Sequence, residues 1–245
     1  MVIRKAIILA GGKGTRLYPV TLETPKPLLT VNKKPIINYL IEMFKKHGVQ
    51  ELAVTVRQSD LDDFSWWLKR WQEDLGGVKV DLVVEDEPMG TFGYWAHKLH
   101  DWTGNQPFFL TNGDELKEVD LSAMTLHHQK VGGLATIAAI EVPNPSEYGV
   151  LMLDGDYIHS FLEKPENPPT NFISSGLYLI DPKVREHLSD KIQNNEKFLM
   201  IEKDLFPKLA SERKLVAYKS KGKWHDCGNL ERWEKAIKEW GNGIA

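Results

Sequence analysis

The sequence has 245 residues, of which 42% are hydrophobic and 27% are charged, a composition that is ordinary for a globular protein with a full core. Its formal net charge of −3 creates no overall basic field, which argues against nucleic acid or an anionic membrane as a partner. The single cysteine, Cys227, excludes an internal disulfide framework and a cysteine-based zinc site.

A short apolar run near the N-terminus predicts a buried strand. Residues 6–10 carry Ile-Ile-Leu at their centre, which is typical of a parallel-sheet strand covered on both faces. Three glycines follow within residues 11–14, and glycine lets backbone N–H groups approach a ligand closely and form a nest for anions. With Lys13 and Arg16 beside them, the turn is a candidate site for several phosphates.

Two common glycine motifs do not match this turn. A P-loop needs Lys where the chain has Thr15, and the dinucleotide-binding fingerprint needs a third glycine where the chain has Leu17. The simpler alternative is a turn that closes a strand and carries solvated basic side chains. The residues further along the chain favour the phosphate site.

Lys26 lies between Pro25 and Pro27. Each proline fixes its own φ, and the second also pushes the Lys26 backbone towards extended conformations. We therefore interpret Lys26 as a cation held for a ligand, rather than as a solvated lysine in a proline-rich loop.

Hydrophobic periodicity predicts alternating strands and helices in the first half of the chain and mostly strands in the second half. Further strands are predicted at 52–56, 78–85, 107–111, 134–142, 149–153, 157–163, 172–180 and 215–219. Helices are predicted at 35–46, 91–99, 183–188, 202–210 and 229–240. Another helix is predicted after Ser59, which with Asp62 resembles a capping box. The alternation indicates an α/β fold with helices on both faces of a sheet.

Asp114 ends the tripeptide Asn-Gly-Asp that follows the predicted strand 107–111. Ligands in open α/β sheets gather at the carboxyl ends of strands, so Asp114 is a candidate metal-binding carboxylate. The alternative is an aspartate that only stabilises a turn, because Asn, Gly and Asp are all common turn residues.

Seven short motifs follow one another along the chain. They are Gly-Gly-x-Gly-Thr-Arg-Leu at 11–17, Pro-Lys-Pro at 25–27, Asn-Gly-Asp at 112–114, Tyr-Gly at 148–149, Phe-Leu-Glu-Lys-Pro at 161–165, Ser-Gly-Leu-Tyr at 175–178 and Trp-His-Asp-Cys-Gly at 224–228. In this order they resemble the sugar-1-phosphate nucleotidyltransferases, which include mannose- and heptose-1-phosphate guanylyltransferases and glucose-1-phosphate thymidylyltransferases. The glycine loop followed by Pro-Lys-Pro is the most specific part of the resemblance.

The resemblance implies an α/β fold, namely a single Rossmann-like (GT-A-like) three-layer domain with a mixed, mostly parallel sheet. The catalytic domain would cover residues 1–245, without a C-terminal β-helix domain. The implied reaction converts an NTP and a sugar 1-phosphate into an NDP-sugar and pyrophosphate, with Mg²⁺ as cofactor. Since the sequence carries no leader pattern and no apolar run of membrane-spanning length, we expect a cytoplasmic enzyme. Assembly into a homo-oligomer is left open.

The resemblance also implies roles for individual residues. Arg16 and Lys26 would be catalytic, and Asp114 and Asp226 would bind Mg²⁺, which prefers oxygen ligands. The implied nucleotide-binding residues are Leu9, Gly11, Gly12, Gly14, Thr15, Glu85, Gly90 and Asp114. The implied sugar-phosphate-binding residues are Tyr148, Gly149, Glu163, Lys164 and Ser174.

Glu85 bears on the choice of base, because a carboxylate only accepts hydrogen bonds. Guanine presents two donors on one edge, whereas thymine and uracil present one donor flanked by acceptors. The segment 88–93 also resembles the Pro-Leu-Gly-Thr-Ala-Gly of guanylyltransferases. We therefore favour GTP, with a mannose- or heptose-type sugar phosphate.

Several alternatives remain open at this point. The enzyme could use CTP, UTP or dTTP with glucose 1-phosphate, or CTP with phosphocholine, for which the tryptophans could supply an aromatic cage. Ser174-Ser175-Gly176 stands where the family often has Asn-Ala-Gly, which leaves the sugar open. The chain could instead be a nucleotide-sugar-binding regulatory subunit that has lost catalysis, although the presence of Arg16 and Lys26 argues against this.

Overall fold

The computed structural model describes residues 1–241. The strands are β1 (Lys5–Leu9), β2 (Thr30–Val31), β3 (Lys34–Pro35), β4 (Glu51–Arg57), β5 (Lys79–Glu85), β6 (Phe108–Asn112), β7 (Glu115–Lys117), β8 (Ala135–Glu141), β9 (Gly149–Asp154), β10 (Tyr157–Glu163), β11 (Phe172–Ile180), β12 (Leu215–Lys219) and β13 (Trp224–Asp226). The α-helices are α1 (Val20–Glu23), α2 (Ile36–Lys46), α3 (Leu61–Trp71), α4 (His100–Thr103), α5 (Leu121–Val131), α6 (Ser189–Gln193), α7 (Phe206–Ser211) and α8 (Leu230–Glu239). Within these residues no helix is both long enough and apolar enough to cross a membrane.

Most predicted elements are confirmed to within a few residues, but three of the predicted helices are of a different helix type. The predicted helix 91–99 is a π-helix only over Trp95–Leu99, and 202–210 begins as a π-helix at Ile201–Leu205 before α7. The predicted helix 183–188 is a 3-10 helix, Pro182–Leu188. The predictions missed α5, the short helices α1, α4 and α6, and the short strands β2, β3, β7 and β13.

The capping box predicted from Ser59 is wrong. The residue that precedes α3 is Asp60, and its carboxylate makes no cap hydrogen bond. Instead it accepts from Arg57 Nε and Nη2 (2.9 Å each) and from Ser59 Oγ (2.8 Å). The bidentate arginine contact occupies both carboxylate oxygens, so neither is available to the first turn of the helix.

The chain divides into two compact units. The glycine-loop unit contains Ala6–Glu87, Thr111–Val119 and residues 222–241. The hairpin unit contains Met1–Lys5, Pro88–Leu110 and Asp120–Lys221. β6 contributes residues to both units.

The sheet of the glycine-loop unit has the strand order β5-β4-β1. β4 and β5 are parallel, with Leu52 opposite Val80 and Val56 opposite Val84. Ala6, Ile7 and Ile8 are buried at the centre of β1, as expected for a strand covered on both faces. The carboxyl ends of these strands carry the glycine turn and Glu85.

The sheet of the hairpin unit has the strand order β11-β8-β12-β10-β9. β8 and β12 are parallel, whereas β8–β11, β9–β10 and β10–β12 are antiparallel. β9 also pairs with β11, so the first and last strands of this order are hydrogen-bonded to each other. The mixed α/β fold is confirmed, and a single catalytic domain over residues 1–245 stays a prediction.

Candidate active site

The glycine turn follows β1 directly and belongs to no helix or strand. Within the described part of the chain, the backbone N–H groups of Gly11, Gly12 and Gly14 have no hydrogen-bond partner. Gly14 has a φ of 63°, and its carbonyl oxygen accepts hydrogen bonds from Leu17 N (2.9 Å) and Thr21 Oγ1 (2.8 Å). A side chain would be strained at this left-handed position. The turn therefore has a fixed shape and N–H donors that an anion can accept.

The residues that flank the glycines fix the turn at both ends. Leu9 ends β1, and its carbonyl oxygen accepts from Gly113 N at 2.9 Å. Thr15 and Arg16 lie in the 3-10 turn Thr15–Leu17, in which Leu17 is fully buried. The Arg16 side chain is exposed and has no hydrogen-bond or ion-pair partner among the described residues. Its five donors are therefore available to a ligand.

Glu85 ends β5 opposite Arg57 of β4. A methyl group placed on Gly11 would lie 3.3 Å from Glu85 Oε2, so the carboxylate faces the glycine turn. Burial raises the pKa of Glu85 above its usual value, and the Thr55 hydroxyl opposes that shift. A carboxylate can accept several hydrogen bonds, so a partly desolvated one needs donors beyond this hydroxyl.

Lys26 forms an ion pair with Asp114. The Lys26 side chain is only 7% exposed. The extended backbone expected at Lys26 is wrong, because this residue begins the 3-10 turn Lys26–Leu28. Gly113 lets the segment before Asp114 approach the end of β1 and Pro27, because a methyl group there would lie 2.8 Å from Leu9 O and 3.4 Å from Pro27 Cγ. Burial would raise the pKa of Asp114, but the Lys26 ammonium outweighs this effect and holds that pKa below its usual value. Asp114 is thus an ionised, paired carboxylate and not only a turn residue.

The short antiparallel pair β7–β13 brings the backbone of Asp226 close to that of Asp114, the other predicted metal ligand. Asp226 is opposite Glu115 in this pair, so it lies one residue away from Asp114 on the facing strand. Asp226 Oδ2 accepts from Arg232 Nη1 at 2.5 Å. Two aspartates that are 112 positions apart in the sequence are therefore neighbours in the fold.

Behind Asp114 is a buried charged network that the sequence analysis missed. Lys117 Nζ lies 3.2 Å from Glu115 Oε2 and 3.1 Å from Thr111 Oγ1, and its side chain is 0% exposed. Glu115 also accepts from Asn112 Nδ2 (3.0 Å) and Trp224 Nε1 (2.8 Å). Burial raises the pKa of Glu115, and the Lys117 charge opposes that shift. The alternating charges of Glu115-Leu116-Lys117 were the available signal, because they place both charges on one face of a strand.

Replacing Lys117 by methionine is expected to destabilise the protein by about 3–5 kcal/mol, because the buried Glu115 would lose its cationic partner. Urea unfolding gives the free energy of unfolding. Lys79→Met is the matched control, since Lys79 pairs with Asp81 at an exposed position, and it should leave the midpoint unchanged. Adding Glu115→Gln to Lys117→Met should recover part of the loss. Equal midpoints for Lys117→Met and the wild type would contradict this role.

Buried apolar residues lie next in sequence to the candidate side chains and fix their backbone. Leu17, Leu116 and Cys227 belong to one buried cluster, and each is next in sequence to a candidate side chain. Burial raises the pKa of the Cys227 thiol to about 12, which makes it an inert packing group rather than a nucleophile. Core packing thus fixes the backbone from which Arg16, Glu115 and Asp226 project.

The hairpin unit brings together the residues predicted to bind the sugar phosphate. Gly149 of β9 is opposite Glu163 of β10, and Lys164 N donates to Tyr148 O at 3.1 Å. Lys164 has a φ of 48° and lies 3.2 Å from the Glu163 carboxylate. Ser174 of β11 follows Ile173, which is paired with Val150, so it also lies beside Gly149. These residues therefore lie beside one another on neighbouring strands, at the start of β9 and the end of β10.

Gly90 and Glu85, the two residues predicted to read the base, belong to different units. Gly90 has a φ of 72°, and a side chain there would overlap the Leu199 carbonyl. The segment is fixed because Phe92 N donates to Leu199 O (2.9 Å) and Leu199 N donates to Met89 O (3.0 Å). Glycine is therefore required at position 90 for packing, whatever its role with a ligand.

The aspartates at 114 and 226 fit a divalent cation in chemical type, since Mg²⁺ prefers carboxylate oxygens, and the β7–β13 register places their backbones one residue apart on facing segments. Among residues 1–241, no group of three or more His, Cys, Asp or Glu side chains forms a metal site by itself. A cation held by two aspartates would take its other ligands from phosphate oxygens or water. The arrangement thus suits a metal that arrives with a phosphorylated substrate.

The chain is similar to one known family and to several curated proteins. The nucleotidyl transferase family model matches residues 5–242. The chain is 39% identical over 231 residues to mannose-1-phosphate guanylyltransferase 1 of Arabidopsis thaliana, and 37% identical over 227 residues to the mannose-1-phosphate guanylyltransferase catalytic subunit beta of Danio rerio. Each match covers 91% of this chain but only 61% of the relative, so the chain spans about three fifths of the length of these proteins.

A solved structure of similar size matches the fold. The crystal structure of a UDP-glucose pyrophosphorylase in complex with UDP-glucose aligns with a TM-score of 0.81 and 27% identity. The alignment covers 96% of this chain and 97% of that chain. The curated relatives and this structure therefore act on different bases and sugars.

Proposed function

Because the chain belongs to the nucleotidyl transferase family, we propose that it joins a nucleoside triphosphate to a sugar 1-phosphate, releasing pyrophosphate and forming an NDP-sugar. Residues 1–245 would be the catalytic domain. The observation that carries the proposal is the glycine turn, whose unpartnered N–H groups lie in the same unit as Arg16 and the Lys26–Asp114 pair. Donors and cations fixed in advance are what a triphosphate requires.

The chemistry asks the protein mainly to position groups and to neutralise charge. An ionised oxygen of the sugar phosphate attacks the α-phosphorus, so no side chain has to remove a proton. The N–H groups of Gly11, Gly12 and Gly14 bind phosphate oxygens. Arg16 meets the charge that grows on departing pyrophosphate, for which its planar fork of donors is suited. Lys26 is held by its two prolines and by Asp114, and it contacts phosphate oxygens at the reacting end.

We further propose that Asp114 and Asp226 hold a divalent cation, Mg²⁺, which when bound neutralises phosphate charge. In the hairpin unit, Glu163 accepts hydrogen bonds from sugar hydroxyls, Ser174 can donate to them or accept from them, and Lys164 contacts the sugar phosphate. The Tyr148 carbonyl positions Lys164. Glycine at position 149 lets the Phe161 ring pack against the start of β9, because a methyl group there would lie 2.4 Å from that ring. A cytoplasmic location is part of the same proposal.

We favour GTP and mannose 1-phosphate among the possible substrates. The curated relatives at 37–39% identity are named as mannose-1-phosphate guanylyltransferases. The desolvated Glu85 carboxylate independently favours a base with two adjacent donors, because a base without them would leave it unsatisfied. A heptose 1-phosphate is the second choice for the sugar.

Replacing Glu85 by glutamine is expected to lower kcat/KM for GTP by about 10-fold or more, since a hydrogen bond to a charged group is worth about 1.5–3 kcal/mol. UTP and dTTP should be affected less, so the preference for GTP should narrow. Asp81→Asn on the same strand, where Asp81 pairs with exposed Lys79, is the matched control and should leave all ratios unchanged. A wild type that prefers UTP or dTTP, or an unaltered ranking in Glu85→Gln, would overturn this reading of the base site.

The proposed function is tested by a pyrophosphate-release screen. The wild type is incubated with each of four NTPs and a panel of sugar 1-phosphates, with phosphocholine included. We expect release with GTP and mannose or heptose 1-phosphate. Release only with CTP and phosphocholine would replace the sugar in the proposal, and absence of release from every pair would support a binding subunit without catalysis.

A further inference from the structure

Glu202 is a half-buried carboxylate of the hairpin unit that no motif pointed to. It lies in the π-helix Ile201–Leu205, which packs against β10. π-helical turns are rare and often occur at functional sites. The location alone does not assign a role to Glu202.

Thr91 holds the Glu202 carboxylate from the neighbouring segment. Its hydroxyl donates to Glu202 Oε2 at 2.7 Å and accepts from Ile201 N at 3.0 Å. The Thr91 segment is itself fixed by the backbone hydrogen bonds between Phe92 and Leu199. Both the orientation of the carboxylate and the start of the π-helix are therefore set by one side chain.

The surroundings of Glu202 include the predicted sugar-phosphate residues. Burial is the main reason why the pKa of Glu202 is raised, the Glu163 charge raises it further and the Lys164 charge lowers it. The π-helix that carries Glu202 packs against β10, the strand that ends at Glu163. Glu163 in turn pairs with Lys164, with a nitrogen-to-oxygen distance of 3.2 Å. Two carboxylates with a lysine beside them form a set of acceptors that suits adjacent hydroxyl groups.

We propose that Glu202 is a further specificity-determining residue, which accepts a hydrogen bond from one hydroxyl of the sugar while Glu163 binds another. Thr91 is the positioning residue that keeps the Glu202 carboxylate aimed. The inference rests on the proposed function, since it requires a sugar phosphate bound to the hairpin unit. Glu202 and Glu163 together distinguish one sugar from another by the direction of a hydroxyl group.

The test is a comparison of Glu202→Gln with wild type, using mannose 1-phosphate and its monodeoxy analogues with GTP. Glu202→Gln keeps the side-chain volume and an oxygen that can accept from Thr91. We expect it to raise KM for mannose 1-phosphate about 10-fold, because a site built to bind a hydroxyl discriminates strongly when that contact is lost. KM for GTP should change less than about twofold. One deoxy analogue should be a poor substrate for the wild type and should lose no further activity in the variant.

Control variants separate this role from a structural one. Glu196→Gln removes an exposed carboxylate that pairs with Lys191 in the same unit, and it should behave as wild type. Thr91→Val should reproduce part of the Glu202→Gln pattern, and Thr91→Ser should restore it. If Glu202→Gln lowers activity equally for every analogue, the carboxylate is structural and the inference is wrong. Turnover of no sugar 1-phosphate by the wild type would contradict the proposed function together with this inference.

Discussion

Replacing Arg16 by alanine is expected to lower kcat by about 100-fold or more, which is the usual loss when one preorganised donor to developing charge is removed. Arg16 is exposed and has no partner within the described residues, so its removal leaves no unpaired charge. KM for the NTP should rise less than kcat falls, because the contact strengthens as pyrophosphate departs. Single-turnover kinetics with the preferred NTP measure the chemical step directly.

Two further variants sharpen the Arg16 experiment. Arg16→Lys should recover only part of the rate, because an ammonium lacks the planar fork of donors. Arg70→Ala removes another exposed arginine of the glycine-loop unit and should retain wild-type kcat, while all variants should share one unfolding midpoint. Normal turnover in Arg16→Ala would remove Arg16 from the catalytic groups.

Asp114→Asn is expected to lower kcat/KM by at least about 100-fold at fixed Mg²⁺, since losing a metal ligand removes several kcal/mol of charge stabilisation. Higher metal concentration should recover part of the activity. Asp226→Asn should act in the same direction. Both aspartates are already paired with a cation, Lys26 or Arg232, so metal binding should be weak without nucleotide and tighter with it.

Mn²⁺ binding, followed by electron paramagnetic resonance with and without NTP, tests the metal role without relying on turnover. Asp154→Asn is the matched control, because Asp154 pairs with Arg213 at 2.5 Å on an exposed surface. It should leave the Mn²⁺ titration unchanged. Full activity in EDTA, or unchanged titrations in both Asp114→Asn and Asp226→Asn, would contradict the assignment.

The sequence predicted best those elements whose signal is local. The Ile-Ile-Leu run of β1 and the amphipathic α2 are each defined by spacing within one segment, and both were found within one residue of their bounds. The glycine turn was also readable, because only glycine supplies both φ > 0 and close approach. Family resemblance, rather than spacing, pointed to Asp226.

The elements missed by the sequence analysis depend on distant partners or weak patterns. β7 has three residues, two of them charged, and it is a strand only because β13 pairs with it across more than 100 positions. The alternating charges of Glu115 and Lys117 indicated a strand face, but only the pairing with β13 brings Trp224 to Glu115. α5 has weak apolar spacing, although Asp120, which caps Ala123 N at 2.9 Å, and left-handed Gly132 marked both ends. Reading these two capping signals would have identified the helix.

The proposed transfer is tested most directly by ³¹P NMR of a reaction containing the wild type, GTP, mannose 1-phosphate and Mg²⁺. We expect the triphosphate and sugar-phosphate signals to fall together while those of pyrophosphate and a sugar diphosphate ester rise in equal amounts. Arg16→Ala should show the same products at a rate lower by about two orders of magnitude. Release of inorganic phosphate in place of pyrophosphate, or no new diphosphate ester with any of the four NTPs, would contradict it.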